Sequence, residues 1–210
     1  GGSEVIYQES SGRSGTESVW RVRQAASAAA TWPNIVVSRW RRWCFPSTMS
    51  PEIKPDIATA RPYEGLAPIY DYVMRHVDYV YWANHVQSLR RRHGGDTRHL
   101  LELACGTGNV ACALAAQGCA VTGYDASEEM IRVAQEKALA HGDLLRFEVG
   151  DLRDLGDIGP FDGAICLYDS LNYLLSLADV ELALGQVHDV LAPGAVFIFD
   201  VCTERNSMQH

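Results

Sequence analysis

The sequence predicts an α/β fold, a doubly wound and mainly parallel sheet with helices on both faces. Three observations predict it. Between His99 and Phe199, short apolar runs alternate with helix-patterned segments. A glycine turn, Gly106-Thr107-Gly108, joins the first run to the helix after it. Acids recur where successive runs end, at Asp125 and Asp151. Strand–helix alternation builds parallel strands through crossover helices, and such sheets take ligands at their carboxyl ends.

Each element follows in chain order. From Pro62 to His76, the apolar residues Leu66, Ile69, Tyr70, Val73 and Met74 fall at three/four spacing and predict a helix. Val80–Arg92 is a second helix. Its basic end, Arg90-Arg91-Arg92-His93, complements the helix dipole, and Gly94-Gly95 terminates it. His99–Leu103 is the first strand, Asn109–Gln117 a helix and Ala120–Tyr124 the second strand. Ser127 caps the helix Glu128–His141, with Glu128 and Glu129 on its positive end. Leu145–Val149 and Phe161–Leu167 are the third and fourth strands. A helix over Asp179–Leu191 and a tight turn, Leu191-Ala192-Pro193-Gly194-Ala195, lead into the fifth strand, Ala195–Phe199.

Composition narrows the function classes. The 210 residues are 47% hydrophobic and 21% charged, as in an ordinary globular protein. A net charge of -8 counts against a free nucleic-acid binder, which carries a basic face. No stretch approaches the roughly 18 consecutive apolar residues of a membrane span, so no membrane partner is expected. The six cysteines form no C-x-x-C and no zinc pattern. They read as free thiols in a reducing cytoplasm, with no metal site. The only lysines are Lys54 and Lys137, so there is no G-K-[ST] phosphate loop. H-E-x-x-H and G-x-S-x-G are also lacking.

Charge divides the chain. Residues 1–48 carry a net +3 and residues 49–210 a net -11. Four of the five tryptophans precede residue 49. The first part has the basic, Ala- and Ser-rich make-up of a targeting peptide, without a secretory apolar segment. Alternatively it is read-through upstream of a start at Met49. Either way residues 1–48 are expected to be a disordered or weakly packed extension. Residues 49–95 then form a helical lead-in or lid, and residues 96–210 the sheet core.

The candidate site lies where the strands end. In Glu102-Leu103-Ala104-Cys105-Gly106-Thr107-Gly108, small residues let the backbone approach a ligand, and the next helix offers free N–H groups to a carboxylate. Asp125, 19 residues after Gly106, can accept both hydroxyls of a ribose, because Ser127 supplies the helix cap in its place. In Gly150-Asp151-Leu152, the acid can accept from an exocyclic amine while Leu152 covers a flat ring. Tyr168-Asp169-Ser170-Leu171-Asn172-Tyr173 is dense in hydrogen-bonding groups, and reads as either a cap or a substrate-facing segment.

These motifs, in this order and spacing, resemble those of the class I S-adenosylmethionine-dependent methyltransferases, over roughly residues 60–204. Leu101–Gly108 resembles the glycine motif, Tyr124-Asp125-Ala126-Ser127 the ribose acid, Gly150-Asp151-Leu152 the adenine motif and Leu191–Ala195 the turn after the last crossover helix. Leu66-Ala67-Pro68-Ile69-Tyr70-Asp71, with Asp78-Tyr79 and Trp82, resembles the lead-in of the YqeM-like bacterial methyltransferases. The resemblance implies a Rossmann-like fold and S-adenosyl-L-methionine as cofactor. It implies that Glu102, Ala104, Cys105, Gly106 and Gly108 hold the methionine end. Asp125 would bind the ribose, Ala126 and Met130 the adenine face, and Asp151 and Leu152 the adenine edge. Tyr168 would border the methionine moiety, with Tyr70 reaching it from the lead-in. Asp169 and Asn172 would face the acceptor, expected to be a small molecule, with tRNA or protein as alternatives. The family fold has seven strands, so the resemblance implies that a helix and two strands are missing after the fifth. The fifth strand is therefore expected to present an exposed apolar edge.

Two other classes compete. Gly106-x-Gly108-x-x-Ala111 fits a loose dinucleotide fingerprint and an NAD-dependent oxidoreductase. Against it, Glu102 lies within the strand before the loop, and Gly150-Asp151 suits adenine. A non-catalytic nucleotide-binding module is the third reading.

Overall fold

The computed structural model describes residues 65–93 and 98–201, together with the backbone of 5–11, 17–24 and 34–38. Its strands are β1 (Val5–Ser11), β2 (Glu17–Gln24), β3 (Asn34–Ser38), β4 (His99–Leu103), β5 (Ala120–Asp125), β6 (Leu145–Val149), β7 (Phe161–Cys166) and β8 (Leu191–Asp200). Its helices are α1 (Ala67–Val73), α2 (Tyr79–His93), α3 (Asn109–Ala115), α4 (Glu128–Ala138) and α5 (Leu177–Asp189). One sheet runs in the order β1-β2-β3-β8-β7-β4-β5-β6. Strands β4 to β8 are mutually parallel, as the alternation predicts.

Alternation within the strands sorts the core onto two faces. Leu100, Val121, Phe147, Ile165, Val196 and Ile198 pack under α2, α3 and α4. Leu101, Leu103, Ala164, Cys166 and Phe197 pack with Val187 and Val190 at the end of α5. The chain winds outward from β4 through β5 to β6, then returns to the other side of β4 as β7. That reversal opens a crevice between the carboxyl ends of β4 and β7, where such sheets bind ligands.

Several elements differ from expectation. Helix α1 is one short segment, Ala67–Val73, because Met74–His76 leave the helix as a turn. Residues 62–64 and the expected Gly94-Gly95 break lie outside the described residues. Arg90 does not simply cap a dipole. It is buried, and its guanidinium reaches Gln87 Oε1 at 3.1 Å and Cys119 Sγ at 3.3 Å. The Pro193-Gly194 turn lies inside β8, where the register slips between Phe161 and Gly163.

The edge of β8 is not bare. β3 runs parallel beside it, with Asn34 opposite Val196 and Ser38 opposite Asp200. β2 and β1 follow in antiparallel succession. Ile35-Val36-Val37 is a β-branched run, the sequence type that suits a strand. An unpaired edge leaves backbone donors and acceptors unsatisfied, and pairing satisfies them. The remainder of residues 1–48, including the stretch before Met49, lies outside the described residues.

Candidate functional site

The crevice is built from the ends of β4, β5, β7 and β8. Among the described residues, three non-glycine residues adopt left-handed backbone conformations, and all three flank it. Ala104 (φ 52°) follows β4, while Tyr168 (φ 62°) and Asp169 (φ 56°) follow β7. Such conformations are held against their own preference by surrounding structure, and they concentrate at functional sites.

The glycine loop has two kinds of glycine. At Gly108 (φ +75°) an added Cβ would meet the Phe147 ring at 2.5 Å, so this glycine packs the loop onto the sheet. At Gly106 (φ +55°) a Cβ would meet nothing within 4 Å, so this glycine faces open space. Cys105 is buried, and its sulfur lies where a Gly123 Cβ would be, 2.9 Å away. Only its backbone therefore borders the loop's outer side.

Glu102 ends inside the crevice with its side chain wholly buried, and Oε2 has no hydrogen-bond partner. Burial raises its carboxyl to about 8, a backbone hydrogen bond from Ala111 offsets part of that, and Asp125 adds to it. A buried carboxylate with an idle oxygen is suited to a cationic ligand group.

Asp125 is less free than the sequence suggests. Gly106 N–H donates to its Oδ2 at 2.8 Å, and Ser127 N–H donates to its Oδ1 at 2.9 Å. Ser127 does cap α4, accepting from Met130 N–H at 3.3 Å. One lone pair remains on each Asp125 oxygen for a diol. Burial pushes this carboxyl up, against the two backbone donors. Ala126 is exposed beside it, and Met130 is buried beneath.

Asp151 is not an open carboxylate. Arg153 grips it with Nε to Oδ1 at 2.9 Å and a terminal nitrogen to Oδ2 at 2.6 Å. That hydrogen-bonded guanidinium holds the carboxyl below its usual range. Leu152 packs on the α5-side core.

Tyr168 lies against the rings of Trp82 (4.9 Å between centroids) and Tyr79 (6.1 Å). Its hydroxyl is buried without a partner. Tyr70 is half-buried and pushed up to about 12, by burial first and then by Tyr79, Tyr173, Asp125 and Asp71. The structure thus gathers Tyr70, Glu102, Asp125 and Tyr168 around the loop, with Asp151 to one side.

Sequence reasoning missed how the lead-in is held. Asp71 Oδ1 accepts from Thr107 Oγ1 at 2.7 Å and from Asn109 Nδ2 at 2.9 Å, while Oδ2 pairs with Lys137. Gly65 N–H donates to Glu129 at 2.9 Å. Helix α1 is therefore fixed at both ends over the loop. Burial raises the Asp71 carboxyl, but the bonds from Lys137, Thr107 and Asn109 outweigh it and hold it below the ordinary range.

Residues 100–194 match the family model described as a methyltransferase domain. Residues 100–194 are a methyltransferase domain. The domain has the class I fold. A crystal structure of an S-adenosylmethionine-dependent methyltransferase from Clostridium acetobutylicum ATCC 824 is 32% identical, with a TM-score of 0.58, over 67% of this chain and 58% of that one. The methyltransferase-family protein YqeM of Bacillus subtilis (strain 168) is 39% identical over 140 residues, 66% of this chain and 55% of that protein. A dTDP-3-amino-3,6-dideoxy-alpha-D-glucopyranose N,N-dimethyltransferase of Streptomyces fradiae is 30% identical over 68% of this chain and 57% of its own length. The chain thus spans a little over half of these relatives. Among the described residues, no helix is long and apolar enough to cross a membrane, and no three His, Cys, Asp or Glu side chains are grouped to hold a metal.

Proposed function

We propose that this chain is the cofactor-binding part of an S-adenosylmethionine-dependent methyltransferase that moves a methyl group to a small-molecule acceptor by direct displacement. One juxtaposition carries the reading. Glu102, buried with an idle Oε2, stands at the foot of a loop whose Gly106 faces open space. The first suits an amino-acid ammonium, and the second allows close backbone approach.

The bound cofactor supplies a methyl carbon activated by a sulfonium. The chain's own residues bind and align it. Glu102 and the backbone of Ala104–Gly108 hold the methionine end. Asp125 takes the ribose hydroxyls on the lone pairs left by Gly106 and Ser127. Ala126 and Met130 form the adenine floor, and Asp151 and Leu152 its edge once Arg153 swings aside. Tyr70 and Tyr168 present ring faces to positive charge. Alignment in a water-poor site is the main catalytic contribution such a transfer needs. Residues 49–95 serve as the lid over the core of residues 96–210. Free Cys105, Cys112, Cys119 and Cys166 suit a cytoplasmic enzyme. A small acceptor is favoured by the Streptomyces fradiae relative, named for an amino sugar, and by the net charge of -8, which disfavours tRNA.

Calorimetric titration with S-adenosylmethionine, S-adenosylhomocysteine and NAD tests this. Micromolar binding of the first two without NAD is expected. Binding of NAD alone would mean a dinucleotide oxidoreductase. Binding without transfer to any acceptor would leave a nucleotide-binding module.

A further inference from the structure

Among the described residues, three buried oxygens on one face of the sheet have no hydrogen-bond partner: Glu102 Oε2, Tyr168 Oη and Asp200 Oδ1. They stand at the carboxyl ends of three adjacent strands, β4, β7 and β8. Glu102 has a use in the reading above. Asp200 does not. It ends β8 on the face that carries Val196 and Ile198, beneath α2. Its side chain sits in a residue only 7% exposed. Oδ2 accepts from the Asp169 backbone N–H at 3.1 Å, and Oδ1 is left idle. The Asp169 carboxyl is close enough to hydrogen-bond with it. Two carboxyls in contact, one of them buried and incompletely bonded, cannot both hold negative charge without a proton or a cation between them. Burial first, and then the Asp169 charge, push Asp200 up to about 7. Asp169 itself has a left-handed backbone conformation, with a φ of 56°. The ring of Tyr168, backed by Trp82 and Tyr79, lies alongside. Buried acid, idle oxygen and aromatic wall make a cation site one strand beyond the cofactor's own.

We propose that Asp169 and Asp200 receive the ammonium of the methyl acceptor, so that the acceptor atom is an amine nitrogen. This rests on the methyltransferase reading. The ammonium passes one proton to the carboxylate pair. The freed lone pair forms the N–C bond to the methyl carbon. The C–S bond breaks with its electrons going to sulfur, leaving S-adenosylhomocysteine and a methylated ammonium. The pair then returns its proton to solvent.

Benzylamine and benzyl alcohol, which differ in the one group that matters, are the probes. Each is titrated into the full chain, alone and saturated with S-adenosylhomocysteine. The amine is expected to bind at least about ten-fold tighter than the alcohol. Asp200→Asn should abolish that preference while leaving S-adenosylhomocysteine affinity within about two-fold. Asp169→Asn, at a left-handed position asparagine tolerates, should reduce the preference in a chain with an unchanged melting profile. Equal binding of the two probes, binding of neither, or a preference that survives Asp200→Asn in a folded chain overturns the proposal. If S-adenosylhomocysteine itself does not bind, the cofactor reading fails separately, and the amine preference is still read on the ligand-free chain.

Discussion

The carboxylate of Asp71 accepts the hydroxyl hydrogen of Thr107 at 2.7 Å, joining helix α1 to the middle of the glycine loop. Thr107 is buried between the two glycines that shape the loop, so the lead-in is fastened to the most constrained part of the site. Asp71→Ala removes this bond together with those from Asn109 and Lys137. Charge-assisted hydrogen bonds each contribute about 1.5–3 kcal/mol. S-adenosylhomocysteine affinity should fall at least about ten-fold, chiefly through faster dissociation. Stopped-flow displacement reads this directly, and an unchanged off-rate removes α1 from the binding site.

Asp125→Ala removes the ribose acceptor and also strands the N–H groups of Gly106 and Ser127. Cofactor affinity should drop about 100-fold or more, as expected when bonds to a charged group are lost. Unchanged affinity by calorimetry would sink the ribose assignment.

The two loop glycines should separate folding from binding. Gly108→Ala places a methyl 2.5 Å from the buried Phe147 ring at a left-handed φ, and should add about 1–3 kcal/mol of overpacking to the backbone penalty that both positions carry. Gly106→Ala meets no atom within 4 Å and carries only the backbone penalty of roughly 1–2 kcal/mol. The latter chain should fold but bind cofactor poorly. Thermal melts paired with titrations distinguish them, and equal melting losses in both would contradict the geometry.

Glu102 makes stability depend on pH in a defined direction. Its folded value of about 8 lies above the 4.5 of an unperturbed carboxyl. Its contribution to stability is therefore complete below pH 4.5 and is lost as pH rises through about 8. Glu102→Gln should melt like the parent at pH 4 and above it at pH 9, by about 3 °C or more. A cationic ligand group should also draw off the Glu102 proton at neutral pH. Cofactor binding should then release protons, seen as a buffer-dependent calorimetric enthalpy.

Arg153 competes for the adenine-side acid. It is solvent-exposed, so Arg153→Ala should leave the melting temperature unchanged. It should tighten S-adenosylhomocysteine binding by about two- to three-fold if Asp151 meets the adenine amine. Weaker binding in Arg153→Ala would mean that the guanidinium itself touches the ligand.

The sheet was legible because the central strand β4 is buried on both faces beyond His99, while the edge strand β6 alternates between buried and exposed positions at its start. His99–Leu103 and Leu145–Val149 are continuous apolar or alternating runs with glycine or charged boundaries, and their ends were readable to the residue. Helix ends were not. Leu139–His141 and Gln117 extend a helical pattern in sequence, yet they leave the helix as turns. The site acids on the strand ends were visible as types and positions. What they bond was not, since Asp71 meets Thr107 and Lys137 only through tertiary packing. The Asp151–Arg153 pair, two residues apart, did leave a local signal. Asp200 left one too, as an acid closing a buried strand at the same end as Glu102's neighbours. The N-terminal strands carried only β propensity, which is weak without the edge that receives them.

The pairing of β3 with β8 sets an order of assembly. Asn34 meets Val196, so the contact closes only after the residues between them have been made. Local crossovers from β4 to β6 can form early, since their partners are near in sequence. β3 is therefore made before its partner β8 and docks after those crossovers. Until β8 arrives, β1 to β3 form a strand ribbon with one unclaimed side, and a neighbouring copy of the same chain could claim it first.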